Sequence, residues 1–223
     1  MSRLESLALS HPVGIAALGR LDCTADDLEA VSTVLDWARE FLAGSHPELG
    51  RTGPVCPYIR HSIDERQLYV LCRPDLVCNG DGLASAIRQS KQWFTELRRR
   101  TPREKRHLVA IVVVLPRIDR TSSEPLDALH AVLKDEFVSS GLMLGQFHPT
   151  CDAPGLRNPD FRPLRSPIPF LAIREMVSSD LPFLVGNPLH AAAYFDRFAP
   201  SIPAHTRRYL VDRLVTSPDG QGR

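Results

Sequence analysis

Leu108–Leu115, LVAIVVVL, is the longest apolar run in the chain, and four of its eight residues are β-branched valines while a fifth is isoleucine. A strand with one face in water alternates apolar and polar residues, whereas one covered on both faces does not. The run therefore predicts a central strand with packed structure on each side. Helical periodicity flanks it. Leu83, Ile87, Phe94 and Leu97 share one face after the turn Asn79-Gly80-Asp81-Gly82. Beyond the run, Leu126, Leu129, Leu133 and Phe137 do the same, with Ser123 ahead of them, Pro125 tolerated in the first turn and Gly141 as the stop. Leu68–Arg73 and Met143–His148 read as further strands, so strand and helix alternate from Leu68 to His148.

Towards the N-terminus, Thr24 and Asp27 form a capping pair for a helix from Ala25 to about Ala43, its inner face being Leu28, Val31, Leu35, Ala38 and Leu42. Residues 44–54 are loop by composition. Val55–Arg60 is expected as a strand that pairs with Leu68–Arg73 across a turn at Ile63–Arg66. Phe170–Met176 is one more strand. Short helices at Ser179–Leu184, Pro188–Phe198 and Pro203–Val215 close the chain. The expectation is an α+β fold: one domain over residues 1–216, a mixed sheet packed by helices, with residues 217–223 as a flexible tail. Strand order is not readable from periodicity.

The 223 residues carry a net charge of +1, which supplies no field for nucleic acid or an anionic membrane. The basic stretch RRRTPREKR, Arg98–Arg106, is diluted by Glu96 and Glu104 and reads as a solvated helix end. No apolar run is long enough to span a bilayer, and the N-terminus lacks the pattern of a signal peptide. Five cysteines, an odd number without paired spacing, argue for a reducing, cytoplasmic setting.

Chemistry concentrates between Gly141 and Met176, where His148 ends a predicted strand and a proline-stiffened loop carries Cys151, Arg157, Arg162 and Arg165, with Arg174 beyond. A histidine there is either a metal or haem ligand or a strand-end residue bonded to a carbonyl. The arginines either pair with an anionic group such as a haem propionate, or with Asp152, Asp160 and Glu175. Cys56, before Pro57, is a second candidate: an iron ligand, a redox thiol or, as favoured, a packing residue in a pocket wall. Cys72 and Cys78 lack the spacing of a structural zinc site. Dinucleotide, Walker, nucleophile-elbow and paired-histidine zinc motifs are all missing.

Three motifs, Arg51-x-Gly53-x-Val55-Cys56-Pro57, Met143-x-Gly145-x-Phe147-His148-Pro149 and Arg162-Pro163-x-Arg165-Ser166-Pro167-x-Pro169, resemble an uncharacterised family of bacterial and fungal domains found near biosynthetic genes. More distantly, the order of features is similar to the YqcI/YcgG family, some members of which are haem-dependent oxygenases acting on nitrogen of arginine-like substrates. That resemblance implies b-type haem with His148 as its iron ligand and Arg162 and Arg165 as propionate or substrate partners. Two departures stand out: Cys56 precedes its proline, and the loop from His148 to Arg162 is longer.

Two functional expectations follow. One is a haem-dependent oxygenase of an amine or amino acid, with His148 on iron, Arg162, Arg165 and Arg174 as anchors, Phe147 in the apolar wall and Cys56 beside it. The other is a cofactor-free binding or accessory protein that captures an anionic ligand or partner through Arg162, Arg165 and Arg174.

Overall fold

The computed structural model describes residues 12–15, 17, 23–77, 81–199, 203 and 206. In chain order the strands are β1 (Val13–Gly14), β2 (Leu68–Cys72), β3 (Ala110–Val114), β4 (Leu142–Phe147) and β5 (Phe170–Glu175). The α-helices are α1 (Ala25–Trp37), α2 (Ile59–Asp64), α3 (Asp81–Arg100), α4 (Glu124–Ser139) and α5 (Pro188–Phe198). The sheet order is β1-β2-β3-β5-β4, so the valine-rich run is the middle strand. β3 lies parallel to β2 and antiparallel to β5, and β5 is antiparallel to β4. Two reversals make β4 run in the same direction as β3. The class is α+β, as the patterning predicts.

Both faces of β3 are covered. Val112 and Val114 join Val70, Cys72 and Phe170 against Val31, Val34 and Leu35 of α1. Ile111 and Val113 join Leu71, Leu144 and Ile173 against Ile87 and Phe94 of α3 and Leu133 and Phe137 of α4. Each strand thus sends alternate residues to opposite layers, the geometry that a continuous apolar run requires.

The Thr24 cap forms as expected. Its side chain accepts from the Asp27 N–H, and the Asp27 carboxylate accepts from the Thr24 N–H at 3.2 Å. Thr24→Ala should cost about 1 kcal/mol and lower Tm by roughly 2–4 °C in thermal unfolding. The helix does not continue unchanged to Ala43. Residues Ala38–Leu42 widen into a π-helical turn, closed by a bond from the Ala43 N–H to the Ala38 carbonyl at 3.0 Å.

Val55–Arg60 is not a strand. The Val55 and Cys56 amides bond to the carbonyls of Gly44 and Leu42, and Pro57 has no amide to offer a ladder. Ile59 and Ile63, one helical turn apart, pack on the α1 layer, so burial favours α2 over a hairpin. Arg66, at φ 56°, makes the reversal into β2.

The chain divides into two compact units, Met1–Met176 and Val177–Arg223. In the second, a 3-10 turn at Ser178–Phe183 precedes α5, which Asn187 caps, and the Tyr194 hydroxyl donates to the Ser178 carbonyl. The expected helix at Pro203–Val215 falls almost wholly outside the described residues. So do the 217–223 tail, Cys78 and the Asn79-Gly80 turn. Among the described residues, no helix is long and apolar enough to cross a membrane.

Candidate functional site

The alternation of β4 decides where His148 points. Leu142 and Leu144 face α3 and α4, so the residue that continues their parity, His148, faces α4 as well. It meets Asp127 in the first turn of that helix: Nε2 lies 2.9 Å from Asp127 Oδ1. On the other side of the ring, Nδ1 lies 3.1 Å from the Thr150 hydroxyl. A carboxylate oxygen accepts, so Nε2 donates to Asp127, while the Thr150 hydroxyl is able to donate to Nδ1 or accept from it. His148 has 0% exposure, while the Asp127 side chain is 42% exposed.

A turn then returns the chain to the same spot. Pro149 occupies its second position, suited by its fixed φ, and the Cys151 N–H bonds to the His148 carbonyl at 3.2 Å. The Ser166 amide reaches that carbonyl too, and the Arg165 guanidinium donates to the Cys151 carbonyl at 3.1 Å. The turn is therefore held from both sides. Ligand atoms of Asp127, His148 and Cys151 all lie within 4.8 Å of one another. Burial pushes the Cys151 thiol up, opposed by the Ala153 amide; the Asp127 and Asp152 carboxylates raise it further. Neither imidazole nitrogen is hydrogen-bonded to the thiol, so the trio lacks the base–nucleophile contact of a cysteine hydrolase.

β2, β3 and β4 all run toward this end of the sheet, and the N-terminus of α4 opens on it. The carboxyl ends of parallel strands are where open sheets most often hold ligands.

A scan of family models finds one described as a domain of unknown function, DUF6875, over residues 31–209. The chain belongs to the DUF6875 family. No curated protein and no solved structure matches it. The DUF6875 match takes in Asp127, His148 and Cys151 together.

Of the expected site residues, few converge in this DUF6875 fold. Arg162 and Arg165 both pair with the Asp152 carboxylate, at 3.4 and 2.8 Å, and hold it well below the usual carboxylate range. Arg174 shares the parity of Phe170 and Ala172 on the α1 layer, opposite His148, and lies over the Tyr58 ring while donating to the Glu175 carbonyl. The three arginines therefore form no common cradle. Phe147 also faces the α1 layer, stacked on Phe170 with centroids 4.4 Å apart. Cys56 sits ahead of α2, its amide tied to Leu42. The basic stretch behaves as a solvated helix end: Arg98 pairs with Glu175, Arg100 with Glu96 and Lys105 with Glu65.

Haem does not fit His148 as it stands. The imidazole is fully enclosed and leaves no open face for a porphyrin ring, and the expected propionate partners Arg162 and Arg165 pair with Asp152 while Arg174 lies on the opposite layer.

Local sequence marks Cys151 through the His-Pro-Thr-Cys spacing, because a proline turn brings positions i and i+3 together, but carries no mark of Asp127, which reaches His148 from another helix.

One turn along α4, His130 donates from Nε2 to the Leu144 carbonyl at 2.9 Å. Burial is the main cause that lowers its pKa below the ordinary value. The native state thus prefers neutral His130, so stability is lost as pH falls below about 6.5, where the unfolded chain takes up the proton first. His130→Gln should flatten that part of a urea-midpoint profile between pH 7 and 5.

Proposed function

We propose that this DUF6875 protein is an enzyme that acts on a small molecule at a divalent-metal centre formed by Asp127, His148 and Cys151. The carrying observation is their convergence: one carboxylate, one imidazole and one thiol within 4.8 Å, the histidine and cysteine both buried. Around a tetrahedral zinc ion such ligand atoms stand roughly 3.3–3.8 Å apart, so closure needs only small side-chain adjustments. Three protein ligands of mixed type leave a fourth position, the pattern of catalytic rather than structural zinc. A divalent ion so held would polarise a substrate oxygen or acidify a bound water.

The chain's own residues would set the ligand geometry. With an ion in place of the Nε2 proton, Nδ1 would carry the ring's proton and donate it to the Thr150 hydroxyl, the kind of outer hydrogen bond that orients metal-bound histidines. Asp127 and a Cys151 thiolate would balance the ion's double charge. Asp127 is also the exposed member, so substrate would enter on its side. An amine or amino acid of a biosynthetic pathway, the substrate class implied by the YqcI/YcgG resemblance, is the first class to screen. A reducing cytoplasm suits Cys23, Cys56, Cys72 and Cys151, all reduced thiols.

The test is elemental analysis of protein expressed with zinc and iron, followed by cobalt substitution. The reading expects about one ion per chain and a near-ultraviolet thiolate-to-cobalt band that Cys151→Ser abolishes. Wild-type protein that neither retains nor takes up a divalent ion would overturn it. A Soret band in cells fed a haem precursor, lost in His148→Ala, would instead support the haem oxygenase.

A further inference from the structure

Residues 164–166 hold two of the three proposed ligands. The His148 amide donates to the Leu164 carbonyl at 3.3 Å, and the Ser166 amide donates to the His148 carbonyl at 3.4 Å. Arg165, between those two contacts, sends its side chain to the other ligand. Its Nε donates to the Cys151 carbonyl at 3.1 Å, and its Nη2 donates to Asp152 Oδ1 at 2.8 Å. A planar guanidinium that bonds two acceptors at once fixes both, which the point charge of an ammonium does less well. Arg162 reaches the same Asp152 oxygen at 3.4 Å, but its other acceptors are the Pro159 and Phe161 carbonyls rather than Cys151.

Fold stability does not account for this arrangement. The Arg165 side chain is 51% exposed and that of Asp152 83%. Exposed ion pairs contribute little, because solvent screens them and two long side chains lose rotamer freedom. A hydrogen bond that places a ligand-bearing turn acts differently: partners just outside a metal's ligands typically account for ~10–100-fold in affinity.

We propose that Arg165 is a positioning residue for the metal centre, an inference that rests on the metal-centre reading above. It holds the Cys151 turn so that the thiol stays within reach of His148 and Asp127. The guanidinium carries no lone pair for a metal, so Arg165 acts only through Cys151. Its effect is preorganisation: the turn gives up its freedom before an ion arrives, and binding does not have to impose that order.

The test compares wild type, Arg165→Ala and Arg162→Ala in a chelator-competition titration with zinc, together with thermal unfolding of each metal-free protein. Arg165→Ala should bind zinc roughly 10–100-fold more weakly than wild type. Its metal-free Tm should move by no more than about 2–4 °C. With cobalt, its thiolate band should need correspondingly more metal yet reach full intensity, because all three ligands remain. Arg162→Ala, which loses only the longer contact to Asp152, should bind zinc as wild type does. Equal affinity in wild type and Arg165→Ala, an equal loss in Arg162→Ala, a larger fall in Tm or a cobalt band that stays incomplete would overturn the positioning role and leave the centre standing. A wild type that takes up no zinc would overturn the centre and this role together.

Discussion

His148→Ala should abolish stoichiometric metal retention and weaken binding of a divalent ion by on the order of 100-fold or more. The side chain would be the ligand that joins the other two: it shares a hydrogen bond with Asp127 and a turn with Cys151. Removing it leaves Asp127 partly in water and Cys151 without the imidazole between them, and neither holds a divalent ion by itself. The measurement is a competition titration with a chromophoric chelator, paired with thermal unfolding. In wild type, an ion at 100 times its Kd should add about 2.7 kcal/mol of stability, and in the variant that increment should vanish. The pairing separates a ligand from a merely structural histidine, because loss of the Asp127 and Thr150 bonds would lower the stability of the metal-free protein without touching the increment. Cys56→Ser is the control, since Cys56 lies outside the trio and should leave metal binding unchanged.

Phe137→Ala should cost about 3–5 kcal/mol, enough to leave the chain largely unfolded if its total stability is typical. Phe137 is fully buried and belongs to the layer where α3 and α4 meet Ile111 and Val113 of β3. Its removal opens a void bounded by two helices and the sheet, and neither can collapse into it without disturbing the other. A urea midpoint that moves by less than the equivalent of ~1.5 kcal/mol, at unchanged m-value, would show that the two helices repack freely. Val132, on the same helix but 70% exposed, is the comparison site and should tolerate alanine nearly unchanged.

Where the local pattern and the packing agree, the chain announced its own structure. The Thr24–Asp27 cap, the spacing of Leu126, Leu133 and Phe137, and Gly141 at φ 73° each meet a local requirement in the fold. Val55–Arg60 shows the opposite. Its residues suit a strand by composition, but the amides of Val55 and Cys56 are spent on the end of the first helix, and Ile59 and Ile63 gain more burial on a helical face. Strand preference is largely a preference for a half-buried pleated surface, so it yields where no strand neighbour is offered.

The centre divides in the same way. His148 and Cys151 are three residues apart with a proline between them, and local turn chemistry alone brings them together. Asp127 arrives from another helix, and nothing in its own neighbourhood distinguishes it from any acid in a helical first turn. Its place depends on which way β4 runs and which layer its alternate residues face, both consequences of β5 inserting antiparallel between β3 and β4. Arg174 fails as a partner of His148 for the same reason: strand parity sends it to the other layer. The sequence by itself determined the central strand, the capped helices around it, the α+β class and the proline-stiffened loop after His148, because these rest on contacts between residues close along the chain. Only the tertiary structure decided strand order and the joining of Asp127 to His148, because long-range pairing is set by the burial of whole faces and leaves no local mark.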